Sequence, residues 1–228
     1  MAKLLIVEDH VRMVRMIQRY LHEINSQFTP ENTFCFSPQG PLKLSPLSSL
    51  QDDHARAILT GKKEAVFSKV FQFLDEQSEE TVLILIDVLL NTQKISAPSI
   101  EQYRADHEYS CELYAELLRA KNGKPIPGCD NLNPDKFFHI IYSRSDASIG
   151  VVEMVLDELS CKDELSCKRG ESGRNYFPKE CAQFENISWC LNGYDVTDPD
   201  FGVAESQKTG SVPLKLPDGY RKFISDLK

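Results

Sequence analysis

Nowhere does the sequence approach the ~20 consecutive apolar residues that a membrane-spanning helix needs. Its apolar residues, 41% of the total, are broken into short runs. It also lacks any cluster of Lys and Arg. The formal net charge is −8, and Lys162, Lys168 and Arg169 are diluted by Asp157, Glu158, Asp163 and Glu164. This excludes a general nucleic-acid binder, whose affinity comes from counterion release at a concentrated basic surface. Residues 1–3 offer one basic side chain before a short apolar run, too little for a secretory signal. There are seven cysteines, an odd number, and none stands in CxxC spacing, which suits reduced thiols and a cytoplasmic protein rather than a disulfide frame. Cys161 and Cys167 fall in a tandem hexapeptide, DELSCK at 157–162 and again at 163–168. With no His or further Cys at ligand spacing, this reads as a duplicated stretch of surface helix or loop rather than a metal pair. No helix-turn-helix or enzymatic output module is recognisable after residue 179.

What is present is a soluble globular composition, 26% charged, in 228 residues, enough for one domain with embellishments. Three continuous apolar runs stand out: residues 3–7 (KLLIV), 82–86 (VLILI) and 137–142 (FFHIIY). Continuous rather than alternating hydrophobicity predicts strands buried on both faces, as in a central parallel sheet. Weaker strands are expected at 33–36 (TFCF) and 175–177 (NYF). Helical spacing of Val11, Val14, Ile17, Leu21 and Ile24 predicts a helix over 11–24, and similar patterns cover 64–76, 109–121 and 147–159. The alternating order implies an α/β fold with a doubly wound, five-stranded parallel sheet and right-handed crossovers.

Between these elements lie segments expected to be inserted loops, at about 37–62, 91–107, 122–136 and 161–173. The first is rich in Pro and Ser, and the third holds Pro125, Pro127, Gly128 and Pro134. Loops this long in compact domains are usually functional or mobile. The fifth helix is expected either at 180–191 or, after a long excursion, at 218–227, where Tyr220, Phe223, Ile224 and Leu227 share one face. Residues from about 192 onward otherwise form a C-terminal extension of a single domain, 1–228.

Ligands of open α/β sheets sit outside the carboxyl ends of the strands, and the polar residues of interest fall there. Glu8 and Asp9 close the first strand and Asp87 the third. Three carboxylates in one crevice repel one another and call for a cation, and their oxygens suit Mg²⁺ or Mn²⁺. Ser143 follows the fourth strand with a hydroxyl, and Lys179 follows the fifth with a positive charge. A carboxylate nucleophile, a divalent cation, a hydroxyl and a lysine compose a phosphoryl-transfer site.

Residues 3–9 (KLLIVED), 82–90 (VLILIDVLL), 140–143 (IIYS) and 176–179 (YFPK) resemble, in order, the acidic pair, phosphorylation site, switch hydroxyl and lysine of response-regulator receiver domains. The resemblance implies the flavodoxin-like receiver fold and phosphorylation at Asp87. It makes Glu8, Asp9, Asp87 and the backbone carbonyl of Leu89 the metal site. It makes Ser143 and Lys179 the groups that bond the phosphoryl oxygens, and Tyr176 the coupled aromatic switch. It further implies a histidine kinase or phosphotransfer protein as donor and a downstream protein as target, with no membrane or nucleic-acid partner. Such a domain is not an enzyme beyond its own phosphorylation and dephosphorylation. Output is expected through protein contacts on the face of the fourth helix, fifth strand and fifth helix. Departures from the pattern are Arg144 in place of a small residue, Glu180 in place of proline after the lysine, and Leu89 and Ser145 where groups that tune attack by water stand. With no strong acid or base at those two positions, a long-lived phosphoryl state is expected.

Each residue has a plainer reading alone: Asp9 as a helix N-cap, Asp87 as a turn residue, Ser143 as a helix-preceding serine, Lys179 as a solvated lysine, Tyr176 as a core aromatic. The five in order, at strand ends, carry the reading. Two other functions compete. A pseudo-receiver would bind a partner without phosphorylation, and Arg144 and the long loops favour it. A phosphatase with an aspartyl nucleophile would carry a second acid two residues after Asp87, where Leu89 stands instead.

Overall fold

The computed structural model describes residues 1–9, 11–37, 42–50, 63–87, 90, 100–142 and 218–228. Strand β1 (Ala2–Val7) is followed by helix α1 (Val11–Ile24), strands β2 (Thr33–Phe36) and β3 (Leu44–Pro46), and helix α2 (Lys63–Glu76). Strand β4 (Thr81–Asp87), helix α3 (Ile100–Lys121), strand β5 (Phe137–Tyr142) and a C-terminal helix (Asp218–Asp226) complete the described strands and α-helices. The strands form one sheet in the order β3-β2-β1-β4-β5. β2, β1, β4 and β5 run parallel, and β3 pairs antiparallel with β2.

The continuous apolar runs occupy the centre of this sheet. Leu4, Leu5, Ile6 and Val7 of β1 and Val82, Leu83, Ile84 and Ile86 of β4 are buried, as two-sided coverage requires. One row across the sheet holds Phe34, Leu5, Ile84 and His139. On that face Phe34 meets Phe73 of α2 (ring centroids 4.8 Å apart), and His139 meets Tyr114 of α3 (4.6 Å). The adjacent row holds Leu4, Leu83 and Phe138, and Phe138 meets Phe223 of the C-terminal helix at 5.1 Å. Helices therefore cover both faces.

Two boundaries differ from the sequence-based expectation. Residues 44–46, read as part of an inserted loop, form the edge strand β3. Pro46 is compatible with an edge, where a missing N–H costs no ladder bond, and Ser37 N–H donating to the Lys43 carbonyl (2.9 Å) extends the pairing. The sheet is consequently mixed at this edge rather than wholly parallel, while the parallel strand expected at 175–177 lies outside the described residues. α3 starts at Ile100, inside the segment read as an insertion (91–107), because residues 101–108 (EQYRADHE) are helix-compatible but carry no apolar stripe. The fifth-helix question is answered at one of its two candidates. Residues 218–226 are helical, whereas 180–191, like the helix expected over 147–159, fall outside the described residues.

Several polar contacts fix the layers. α3 ends in a Schellman motif. Gly123 (φ 89°) takes the left-handed conformation that glycine adopts without strain, while Gly123 N–H donates to Ala120 O and Lys124 N–H to Arg119 O, both at 3.0 Å. The following segment, 122–136, is pinned by Lys121 Nζ to the carbonyls of Pro134 (3.1 Å) and Phe137 (3.0 Å), and by Asn131 N–H to Asp75 (2.6 Å). It precedes β5 and so lies at the amino end of the parallel strands. The C-terminal helix is held by buried Asn25, whose amide donates to the carbonyls of Ile224 (2.8 Å) and Leu227 (3.0 Å). Among the described residues no helix is long and apolar enough to cross a membrane.

Two predictions follow from these layers. Asn25→Ala takes the side-chain donor from the Ile224 carbonyl and one of two from the Leu227 carbonyl, which keeps Gln27 Nε2 (3.2 Å), and should cost about 1–3 kcal/mol, read as a lowered melting temperature with faster amide exchange in residues 221–228. His139 is buried, and among the described residues neither ring nitrogen has a hydrogen-bond partner. Burial, helped by the charge of Lys121, pushes its pKa down from 6.5 to about 3. Between those values the unfolded chain binds a proton that the folded protein refuses, so stability falls as pH descends through the window. His139→Phe should flatten that acid limb in urea unfolding at a series of pH values.

Candidate functional site

The parallel register of β1 and β4 aligns Val7 with Ile86, so Glu8 and Asp9 leave β1 level with Asp87 at the end of β4. The three carboxylates converge there, with one oxygen from each lying within 4.8 Å of the others. Glu8 and Asp9 are each 4% exposed and Asp87 is half-buried. The crevice sits at the carboxyl end of the parallel strands, the end at which open α/β sheets bind ligands. Sequence reasoning named these three acids as a group, and the structure brings them together.

β5 adds a fourth group that sequence reasoning passed over. Tyr142, the Cα partner of Asp87, is buried to 2% exposure, and its hydroxyl donates to Glu8 Oε2 at 2.7 Å. In the sequence it reads as the last residue of an apolar strand, FFHIIY. The available signal is that a phenol at a strand's carboxyl end carries a polar tip beside the acidic ends of neighbouring strands. The other residues expected here, Leu89, Ser143, Tyr176 and Lys179, together with Arg144, lie outside the described residues.

The electrostatics are those of an overcrowded acid site. Burial first, then the charges of Asp87 and Asp9 and a hydrogen bond shared with Asp9, hold the Glu8 carboxyl well above its ordinary range. The bond from Tyr142 works in the opposite direction. Burial and the adjacent carboxylates push the Tyr142 phenol upward as well, which keeps it protonated and a donor. Without a cation, a proton on Glu8 relieves part of the repulsion. The donor set fits a hard divalent ion such as Mg²⁺ or Mn²⁺: it is all oxygen, carries up to three negative charges, and stands on two strand ends. Proton and cation then compete for the same oxygens.

This competition sets a pH dependence with a definite sign. Between the ordinary carboxylate range and the raised value for Glu8, the folded protein holds a proton that the unfolded chain has released. Stability of the cation-free protein therefore falls as pH rises through that window. Glu8→Gln should melt higher than the unsubstituted protein at neutral pH without divalent cations, and the gap should close in mild acid. Each kcal/mol corresponds to roughly 2–4 °C in a chain of this size. Added Mg²⁺ should raise the melting temperature of the unsubstituted protein more at neutral pH than in mild acid.

No protein-family model, no curated protein and no solved structure matches this chain. The functional reading accordingly rests on the acidic crevice and on the motifs that surround it in the sequence.

Proposed function

We propose that the chain is a phosphoryl-accepting regulator of two-component type, built on a flavodoxin-like receiver fold, with Asp87 as the phosphoacceptor. The observation that carries this reading is the convergence of Glu8, Asp9 and Asp87 at the carboxyl ends of adjacent parallel strands. The parallel strands, taken in chain order, lie in the arrangement 2-1-3-4, which fits the flavodoxin-like order. The edge strand β3 is then an addition to that core.

In this reading the half-buried Asp87 carboxylate attacks the phosphorus of a phosphodonor. A bond forms from a carboxylate oxygen to phosphorus, the donor's bond to phosphorus breaks, and the leaving group departs with the electron pair. Glu8, Asp9 and Asp87, with the Leu89 carbonyl that the receiver resemblance adds, would hold Mg²⁺, which neutralises charge on the transferred oxygens. Burial of Glu8 and Asp9 keeps their carboxylates in place without a reorganisation at the moment of transfer. By the same resemblance, Ser143 and Lys179 bond the phosphoryl oxygens, and Tyr176 follows the switch. The phosphoryl group biases a pre-existing two-state equilibrium that a downstream protein reads. A histidine kinase or phosphotransfer protein supplies the group, and the protein acts in the cytoplasm without turning over an external substrate.

Incubation with an acyl phosphate or phosphoramidate and Mg²⁺, followed by intact mass, tests this. A gain of one phosphoryl group is expected, abolished by Asp87→Asn or by a chelator. With Leu89 and Ser145 at the two sequence positions that the receiver resemblance gives to groups tuning attack by water, the modified form should outlast the seconds range. No gain at any donor concentration favours the pseudo-receiver reading, which Arg144 and the long loops support in the sequence and in which the chain serves only to bind a partner.

A further inference from the structure

The acidic crevice contains one polar contact that the receiver resemblance does not assign, the bond from Tyr142 to Glu8. Its geometry is restrictive. Tyr142 ends β5, whose pairing with β4 runs in unbroken register from Phe137↔Val82 to Tyr142↔Asp87. The phenol is among the largest fully buried side chains, so its ring cannot swing freely. A tyrosine has only two side-chain torsions, and a bond from its hydroxyl to a carboxylate is of the strong, charge-assisted kind. Glu8 Oε2, at 2.7 Å from that hydroxyl, is thereby engaged. The bond fixes the plane of the Glu8 carboxyl, which also shares a hydrogen bond with Asp9, so the group meets a cation in one orientation.

A carboxylate held rigidly in one orientation discriminates between hard cations. Ca²⁺ takes six to eight oxygen ligands and readily uses both oxygens of a carboxylate, at about 2.3–2.6 Å. Mg²⁺ demands near-octahedral geometry at about 2.0–2.1 Å with one oxygen per carboxylate. Selectivity between them is set by ligand number and rigidity, and partners of the ligating groups tune both. We propose that Tyr142 is a positioning residue that makes this crevice select Mg²⁺ over Ca²⁺ by holding the Glu8 carboxyl group in one orientation. The inference rests on the reading of the crevice as a divalent-cation site, and it is separable from phosphorylation of Asp87.

The test is calorimetric titration of the full chain with Mg²⁺ and, separately, with Ca²⁺, for the unsubstituted protein and for Tyr142→Phe. The substitution removes only the hydroxyl. Mg²⁺ affinity should fall about ten-fold, the lower end of the loss seen when a partner of a metal ligand is removed, while Ca²⁺ affinity holds or rises. Equal losses for both ions, or no change in either, overturn the proposal. Should Tyr142→Phe fail to fold, the unsubstituted protein labelled with ¹³C at Tyr142 Cζ decides. Its resonance should stay in place on saturation with Mg²⁺ and move on saturation with Ca²⁺, and an identical response to both ions overturns the role. An unsubstituted protein that binds neither ion defeats both this inference and the Mg²⁺-dependent function. A Tyr142-dependent preference in a protein that takes no phosphoryl group leaves the inference standing and removes only the phosphoacceptor.

Discussion

The parallel pairing of β1 with β4, from Ala2↔Thr81 to Val7↔Ile86, is the constraint on which the rest of the molecule depends. It buries two apolar strands against each other at the centre of the sheet, and it brings Glu8, Asp9 and Asp87 to one level. A shift of one residue would move an acid by about 3.3 Å along the sheet and turn each inward side chain to the opposite face. Either displacement would break the convergence. The same register, carried one strand further by β4 and β5, puts the Tyr142 hydroxyl against Glu8. Core packing and site geometry are thus consequences of a single ladder.

Those central strands were also the most legible part of the sequence, for a physical reason. Leu4–Val7 and Val82–Ile86 lie under helices on both faces, so burial leaves no room for polar alternation, and the continuous runs announce themselves. The amphipathic spacing of Val11, Val14, Ile17 and Leu21 likewise marks a helix with one buried side. Legibility fails where burial does not write a pattern. Leu44–Pro46 is three residues long at an edge, amid prolines and serines, and its pairing with β2 is fixed by backbone bonds that composition does not encode. The start of α3 is polar, so its helical state leaves no stripe. Of the two candidates for the last helix, the described one at 218–226 is held by a long-range contact with Asn25 that periodicity does not encode.

The acidic crevice was legible as a set of residue types at strand ends, and its energetics were legible only as repulsion. What the sequence could not convey is the surroundings of Glu8: it is buried, its carboxyl is held above the ordinary range, and a phenol from a third strand leans against it. A fold that places buried like charges together gives up stability that a binding partner can restore. Such a site is poised to couple occupancy to the whole sheet, because the strands that hold its acids are the ones that hold the core.

The attachment of the C-terminal helix has a consequence for how the chain acquires its fold. Asn25 and Leu227 stand 202 positions apart in sequence, yet they share a buried hydrogen bond. Contacts of so long a sequence separation slow folding, because the entropy of closing the span is lost before the contact forms. During synthesis, the flank of α1 and the Phe138 side of the sheet have no cover from this helix until residues 218–227 have been made. The nascent protein therefore passes through a stage with one apolar face of its sheet incompletely clad, the stage at which wrong pairings between chains compete with the right one.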